Sequence, residues 1–189
     1  MNTDTTLNEM LRDVILNNEL SGNSKAAYEF SHASGGTSGY SFGISQFDVR
    51  NNSTARSILS KLGFTAAEVL AIQDETVDPR QWNARLAAGS EIIDDADTTQ
   101  LSYCLDGALD FATSFGVPVT NPEGILALAD AINQYGSIGA GCAEFLKALD
   151  HPVVSADVLA WRLQTKYGKE CPTDCKRRIA GVMQVVNAA

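Results

Sequence analysis

Apolar residues recur three and four positions apart along most of this chain, and that rhythm restricts it to packed amphipathic helices. In TLNEMLRDVILNNEL, Leu7, Met10, Leu11, Val14 and Ile15 share one face. The same period runs through STARSILSKLG, TAAEVLAIQDE, DPRQWNARLAAGSEIIDDA, TTQLSYCLDGALDFATSFG, NPEGILALADAINQYG, AGCAEFLKALD, SADVLAWRLQTKYG and CKRRIAGVMQVVNAA. Ser53 is the expected cap and Gly63 the expected stop of the first of these. SGNS ends the N-terminal helix; Ser24 is expected to cap a shorter one through KAAYEFSHA, closed by Ser34, Gly35 and Gly36.

One segment breaks the rhythm. In residues 37–48, Tyr40, Phe42, Ile44 and Phe47 stand among Gly and Ser with a mostly two-residue alternation, which suits a small, twisted β-hairpin or an ordered loop. The expected fold is therefore mainly α: a helical bundle with one small hairpin near the N-terminus. At 189 residues and 44% hydrophobic content, one core is expected, and so a single domain over 1–189.

Charge and composition exclude several functions. The net charge of −9 argues against a phosphate-tracking face, so nucleic acid is not an expected partner. No apolar stretch is long enough for membrane insertion, and MNTDTTLNEM has neither the basic nor the apolar part of a signal peptide. Synthesis in the cytoplasm without that export route is the expectation, as is a monomer. Cys104, Cys142, Cys171 and Cys175 permit disulfides without requiring them, and only two His accompany them. Buried thiols or one bridge are expected rather than a zinc site, and no metal or cofactor.

Glu29 is the candidate that carries chemistry. It falls near the end of the second predicted helix, where the dipole disfavours a carboxylate, and partial burial between Tyr28 and Phe30 would act in the same direction. A carboxyl group that holds its proton is what glycosidic cleavage requires, since the leaving oxygen must be protonated. The bland alternative is a solvated helix-end Glu. Asp48 lies at the far end of the Gly/Ser/Thr/Tyr run, and a hairpin folded back on the helix end would turn Asp48, or the hydroxyls of Thr37, Ser38 and Ser41, toward Glu29. Asp48 is equally suited to a turn or a helix cap.

These residues carry a resemblance. EFSHA followed by GYSFGISQFDVR is similar to the catalytic helix end and hairpin of goose-type lysozymes and soluble lytic transglycosylases, with their Glu-Ser, short loop, Gly-x-Gly-Leu-Met-Gln and frequent Val-Asp. Gly43, Ile44, Gln46, Phe47 and Asp48 occupy the second block, and Glu29 the place of the acid. Further on, ILALADAINQYGSIGAG resembles the Leu-Ala-x-Ala-Tyr-Asn-x-Gly helix end that lines the sugar groove in those families, with Asn133 at the Asn and Gly136 one position late.

Departures are equally informative: Phe30 and Ser31 replace the immediate Glu-Ser pair, and Ile132 stands where the families have Tyr, with Tyr135 a turn later. The resemblance implies a lysozyme-like α+β fold in a divergent branch such as phage endolysins or virion muramidases. It also implies a glycoside hydrolase cutting the bond between N-acetylmuramic acid and N-acetylglucosamine in the periplasmic or extracellular wall of a bacterium. On this reading Glu29 is the general acid. Asp48, or a water held by Thr37 and Ser38, supplies the base or stabilises charge. Tyr40, Gln46, Asn133 and Tyr135 join Ser38 in holding peptidoglycan glycan strands.

The alternatives are a lytic transglycosylase giving 1,6-anhydro products, a chitinase-like or chitosanase-like specificity, and a non-catalytic helical interaction protein with the Gly-rich segment as its recognition loop. His32 reads as a hydrogen-bonding loop residue, Trp82 and Trp161 as core, and DCKRR as a solvated face that could meet anionic wall polymer.

Overall fold

Six side chains set where helical segments begin. Asn23, Asn52, Thr65, Asp78, Asn121 and Thr165 each accept a hydrogen bond from a backbone N–H two or three residues further on. The expected caps Ser24 and Ser53 are thus one position late: Asn23 and Asn52 reach the exposed N–H groups instead. The computed structural model describes residues 3–32 and 37–189.

Among these residues the chain is mainly helical. The helices are α1 (Thr3–Leu20), α2 (Ser53–Lys61), α3 (Ala66–Gln73), α4 (Asn83–Ala88), α5 (Ser90–Phe115), α6 (Pro122–Tyr135), α7 (Ala140–Lys147), α8 (Ser155–Arg162), α9 (Lys166–Glu170) and α10 (Pro172–Ala188). One antiparallel sheet, in the order β1-β2-β3, joins β1 (Ser31–His32), β2 (Tyr40–Phe42) and β3 (Phe47–Asp48). No helix among the described residues is long and apolar enough to cross a membrane.

Several helix boundaries differ from expectation, including the helix expected over SADVLAWRLQTKYG, which is divided into α8 and α9 where Thr165 caps a new start. The second predicted helix is a single 3-10 stretch, Ser24–Tyr28, and Glu29 leaves it with extended angles, φ −129° and ψ 143°. Phe30 must enter the core, and an extended chain lets it do so while Ser31 and His32 pair with β2. The expected stop at Ser34, Gly35 and Gly36 lies outside the described residues. The helix predicted across Gly89 is broken there, where the backbone leaves helical angles at φ −107° and ψ 27°; a Cβ on Gly89 would stand 2.0 Å from Leu62 Cδ2. Conversely, α5 runs unbroken through DDADTT, where Thr98 and Thr99 donate their hydroxyls to the carbonyls of Asp94 and Asp95 at 2.8 and 2.9 Å and so satisfy their polar groups within the helix.

The described chain divides into two compact units, residues 19–99 and residues 3–18 with 100–189. In the first, the sheet's inner face delivers Phe30, Phe42, Phe47 and Val49 to a core shared with Leu59, Ile72 and Leu86. Phe30 meets Phe42 and Phe64 edge-on, with centroids 5.8 and 6.2 Å apart. Trp82 closes this core against Phe64, and Arg85 lies over the Phe64 ring at 4.2 Å while pairing with Glu68 at 3.2 Å.

In the second unit α6 is the central element, with every residue from Gly124 to Ile132 buried against α8 and α10. Its one buried charge is Asp130. Arg162 Nη1 donates to Asp130 Oδ2 at 2.7 Å, and Arg178 donates to both carboxylate oxygens at 3.0 and 2.7 Å. Asn18 Nδ2 adds a donor at 3.0 Å. Burial alone would raise the Asp130 carboxyl, but Arg178 and Arg162 hold it down to about 2. DCKRR is a solvated face only in part: Lys176 and Arg177 are exposed, with Arg177 donating to Asp174 and to the Asn18 carbonyl, whereas Cys175 is buried and Arg178 is buried on Asp130. The four cysteines are free, and burial pushes the Cys104 and Cys142 thiols up to about 11 and about 12.

Candidate functional site

The sheet register sorts the segment from Glu29 to Val49 into two faces. Ser31 stands opposite Ser41, and Ser41 opposite Asp48, so these three side chains project the same way. Glu29, extended and two residues before Ser31, shares their side and is exposed. His32, Tyr40, Phe42 and Phe47 take the other face. One side of this small sheet is core; the other is polar and carries both acids singled out from the sequence.

Cross-links on the polar face are specific. Ser31 Oγ donates to Gln46 Oε1 at 2.9 Å, and Gln46 Nε2 donates to the Gly43 carbonyl at 2.9 Å, so one amide clasps β1 to the β2–β3 turn. Gln46 does this from the left-handed region at φ 53°, a conformation that strains a residue with a Cβ. Gly43, at φ 78°, faces a second restriction: a Cβ there would approach the Phe47 ring to 2.9 Å. Asp48 Oδ1 accepts from the backbone N–H groups of Gly39, Arg50 and Asn51 at 3.2, 2.9 and 3.3 Å, and Oδ2 from Asn51 Nδ2 at 2.8 Å. Asn51 Nδ2 also donates to the Thr37 carbonyl at 3.0 Å, which ties the approach to β2 onto the end of β3.

Supports from outside the segment hold Glu29 on both sides. The Tyr28 hydroxyl donates to Asp94 Oδ1 at 2.8 Å, and the Phe30 N–H donates to Asn83 Oδ1 at 3.0 Å. Asp97, almost wholly buried, accepts from the N–H groups of Ile44 and Ser45 at 2.8 Å each. Its burial raises the carboxyl above the ordinary range, against the lowering effect of those amides. Asn83, Asp94 and Asp97 were not singled out from the sequence. A signal for Asp97 was there: it interrupts the stripe Ile93, Leu101, Leu105 and Ala108 with a charge.

Glu29 borders an open depression of about 350 Å³, lined also by Lys25, Tyr28, Asn83, Ala84 and Ala87. Glu29 is exposed, so the partial burial expected between Tyr28 and Phe30 is not found, and the helix expected to end there is a short 3-10 turn. Thr37 and Ser38 are exposed, just ahead of β2.

Tyr40 belongs to the opposite face, edge-on to His32 at 4.8 Å, and His32 Nε2 pairs with Glu75, which also takes Arg50. Asn133 and Tyr135 are on α6 in the other unit, where the Tyr135 ring packs against Trp161 and Tyr167 with Arg162 over its face. The site as read from the sequence thus divides: Glu29, Gln46 and Asp48 share one face of the sheet, Thr37 and Ser38 adjoin it, and the others have these separate surroundings.

Among the described residues no group of three or more His, Cys, Asp and Glu could hold a metal ion. Comparison with protein-family models, curated proteins and solved structures returns no match to the chain.

Proposed function

We propose that the chain is a glycoside hydrolase that cleaves the glycan strands of peptidoglycan, with Glu29 as the general acid. One observation supports the reading: the strand register puts Ser31, Ser41 and Asp48 on one sheet face, Gln46 is tied to it through Ser31, and the exposed, extended Glu29 lies two residues before Ser31. A sugar strand is recognised by such a surface, since each hydroxyl and acetamido group needs a fixed donor or acceptor. Glu29 is free to meet the glycosidic oxygen, and a strand lying across it would displace water and favour the protonated acid that bond cleavage needs.

The second role falls to water. Four donors already occupy the Asp48 carboxylate, so its part is to organise the turn and offer negative potential to an oxocarbenium-like sugar. The hydroxyls of Thr37 and Ser38 orient the attacking water. Gln46 is locked at both ends of its amide and therefore shapes the face. The resemblance to lysozyme-like enzymes stated above supports this reading independently of the geometry.

The test is clearance of chloroform-permeabilised Gram-negative cells. Glu29→Gln lowers the rate by about 100-fold or more while leaving circular dichroism and thermal unfolding unchanged. A fully active Glu29→Gln protein ends the assignment. Mass spectrometry of the released fragments identifies hydrolysis by the added water, whereas 1,6-anhydro ends would move the reading to lytic transglycosylase.

A further inference from the structure

Resting on the glycan-cleaving reading, we infer that Glu75 is a positioning residue, a carboxylate strap that holds β1, and through it Glu29, from the other face of the sheet. Helix α3 ends in a turn that ordinarily takes glycine: the Thr76 N–H donates to the Ala71 carbonyl at 3.0 Å and the Glu75 N–H to that of Ile72 at 3.1 Å, with Glu75 left-handed at φ 53°. Glycine adopts that conformation freely, whereas a Cβ there crowds the following carbonyl oxygen. Glutamate at this position strains the turn, and only its side-chain contacts offset that strain.

Those contacts reach both outer strands. Glu75 Oε1 pairs with His32 Nε2 and Oε2 with Arg50 Nη2, each at 3.0 Å, so one side chain joins the end of β1 to the chain leaving β3. Gly39, just ahead of β2, leaves room for it, since a Cβ there would stand 3.2 Å from Glu75 Oε1 and 2.8 Å from Arg50 Cβ. His32 is further seated by Tyr40, its partner in the β1–β2 register, with the rings edge-on at 4.8 Å. β1 is two residues long and lies at the edge of the sheet, so backbone pairing alone restrains it weakly. Glu29, exposed and three positions before His32, takes its direction from that strand. The strained turn at Glu75 is thereby coupled to the placement of the acid.

Two substitutions in the full chain test the strap. Glu75→Gly relaxes the turn while removing the carboxylate, and His32→Phe keeps a ring against Tyr40 while removing the nitrogen that Glu75 holds. In Glu75→Gly the midpoint of thermal unfolding moves by less than about 4 °C. Backbone ¹⁵N order parameters of Ser31 and His32 fall by about 0.1 or more from the rigid value of about 0.85, and those of α3 do not change. Clearance of permeabilised cells by either variant falls about tenfold in its limiting rate, with little change in the half-saturating cell density. Combining the two substitutions slows it no further, because both cut the same link. Unmoved order parameters in β1, an undiminished rate, or a loss of about a hundredfold in the combined variant overturn the strap. Failure of the two ideas is distinguishable. Undiminished clearance by both variants beside an inactive Glu29→Gln leaves the hydrolase reading and removes the strap's role, whereas no clearance by the unsubstituted chain ends the hydrolase reading and leaves the order parameters to decide whether Glu75 holds β1.

Discussion

Two polar centres in this chain each contain carboxylate and amide side chains and treat them in opposite ways. Around Asp130, a carboxylate and two guanidinium groups are sealed from water, and both carboxylate oxygens are shared among Arg162, Arg178 and Asn18. On the outer face of the β1–β3 sheet, Asp48 and Gln46 are similarly committed, but Glu29 beside them is exposed. A sealed centre whose carboxylate is fully shared holds a fold together, since each of its groups is expensive to release. An open centre whose scaffold is saturated and whose acid is free is suited to chemistry on a ligand. Activity is therefore expected to depend on the second centre and stability on the first.

Removing the carboxylate from the sealed centre gives the largest expected effect. Asp130→Ala leaves Arg162 and Arg178 buried without their counter-charge, a loss of about 3–5 kcal/mol in urea unfolding. A loss under 1 kcal/mol would mean that the knot is wet and the contrast false. Replacing Glu29 should change unfolding by less than about 0.5 kcal/mol, the usual size for an exposed position away from structural contacts.

Acid titration sharpens the contrast, because the two buried aspartates are shifted in opposite directions. Asp130 is held down to about 2 in the folded chain, from an ordinary value of 3.8. Its stabilising contribution is complete above pH 3.8 and is lost as pH falls through 2, about 2–3 kcal/mol in all. Asp97 is raised, so the folded state binds a proton there before the unfolded state does, and its effect on stability declines as pH rises above 3.8. Amide exchange, corrected for intrinsic rates, should show α6 losing protection on acidification below pH 4 while Ile44 and Ser45 do not follow it. Parallel loss of protection in both places would refute the opposed signs.

The turn that Asp97 holds comes next in size. Asp97→Ala strands the buried N–H of Ile44 and the partly buried N–H of Ser45, for a loss of about 2–3 kcal/mol. With the turn released, Gln46 shifts and lysis should fall along with stability. Asp97 also shows what could be read in the sequence and what could not. The helical rhythm correctly indicated a mainly helical chain, and the two-residue alternation after Gly39 correctly indicated β structure. Neither pattern could reveal that a carboxylate some fifty positions later reaches into the β2–β3 turn, since that pairing exists only in the fold.

Glu29 was found for a reason only partly physical in origin. Its neighbours matched a motif, whereas the argument from a helix dipole assumed a helix that the chain replaces with one 3-10 turn and an extended residue. Local propensity in KAAYEFSHA favoured helix; the gain from burying Phe30 against Phe42 and Phe64 outweighed it. In DCKRR the departure is confined to Arg178, since Lys176 and Arg177 are exposed. A basic run on a terminal helix ordinarily faces water, and only the burial of Asp130 at the centre of α6 draws Arg178 inward.

The smallest predicted effect tests whether the open face is built as tightly as its hydrogen bonds suggest. Ser31→Ala removes the hydroxyl that donates to Gln46 Oε1 and leaves no buried charge, so stability should fall by about 1 kcal/mol. Gln46 has left-handed angles that its two amide bonds help to maintain, and losing one of them loosens the whole clasp between β1 and the turn. Lysis should then fall several-fold, with KM rising more than kcat falls, because the damage is to the shape of the binding face and Glu29 is untouched. Equal losses at Ser31→Ala and Ser31→Thr would point to packing as the cause. Recovery by Ser31→Thr, which restores the hydroxyl, would identify the hydrogen bond as what keeps the open centre in shape.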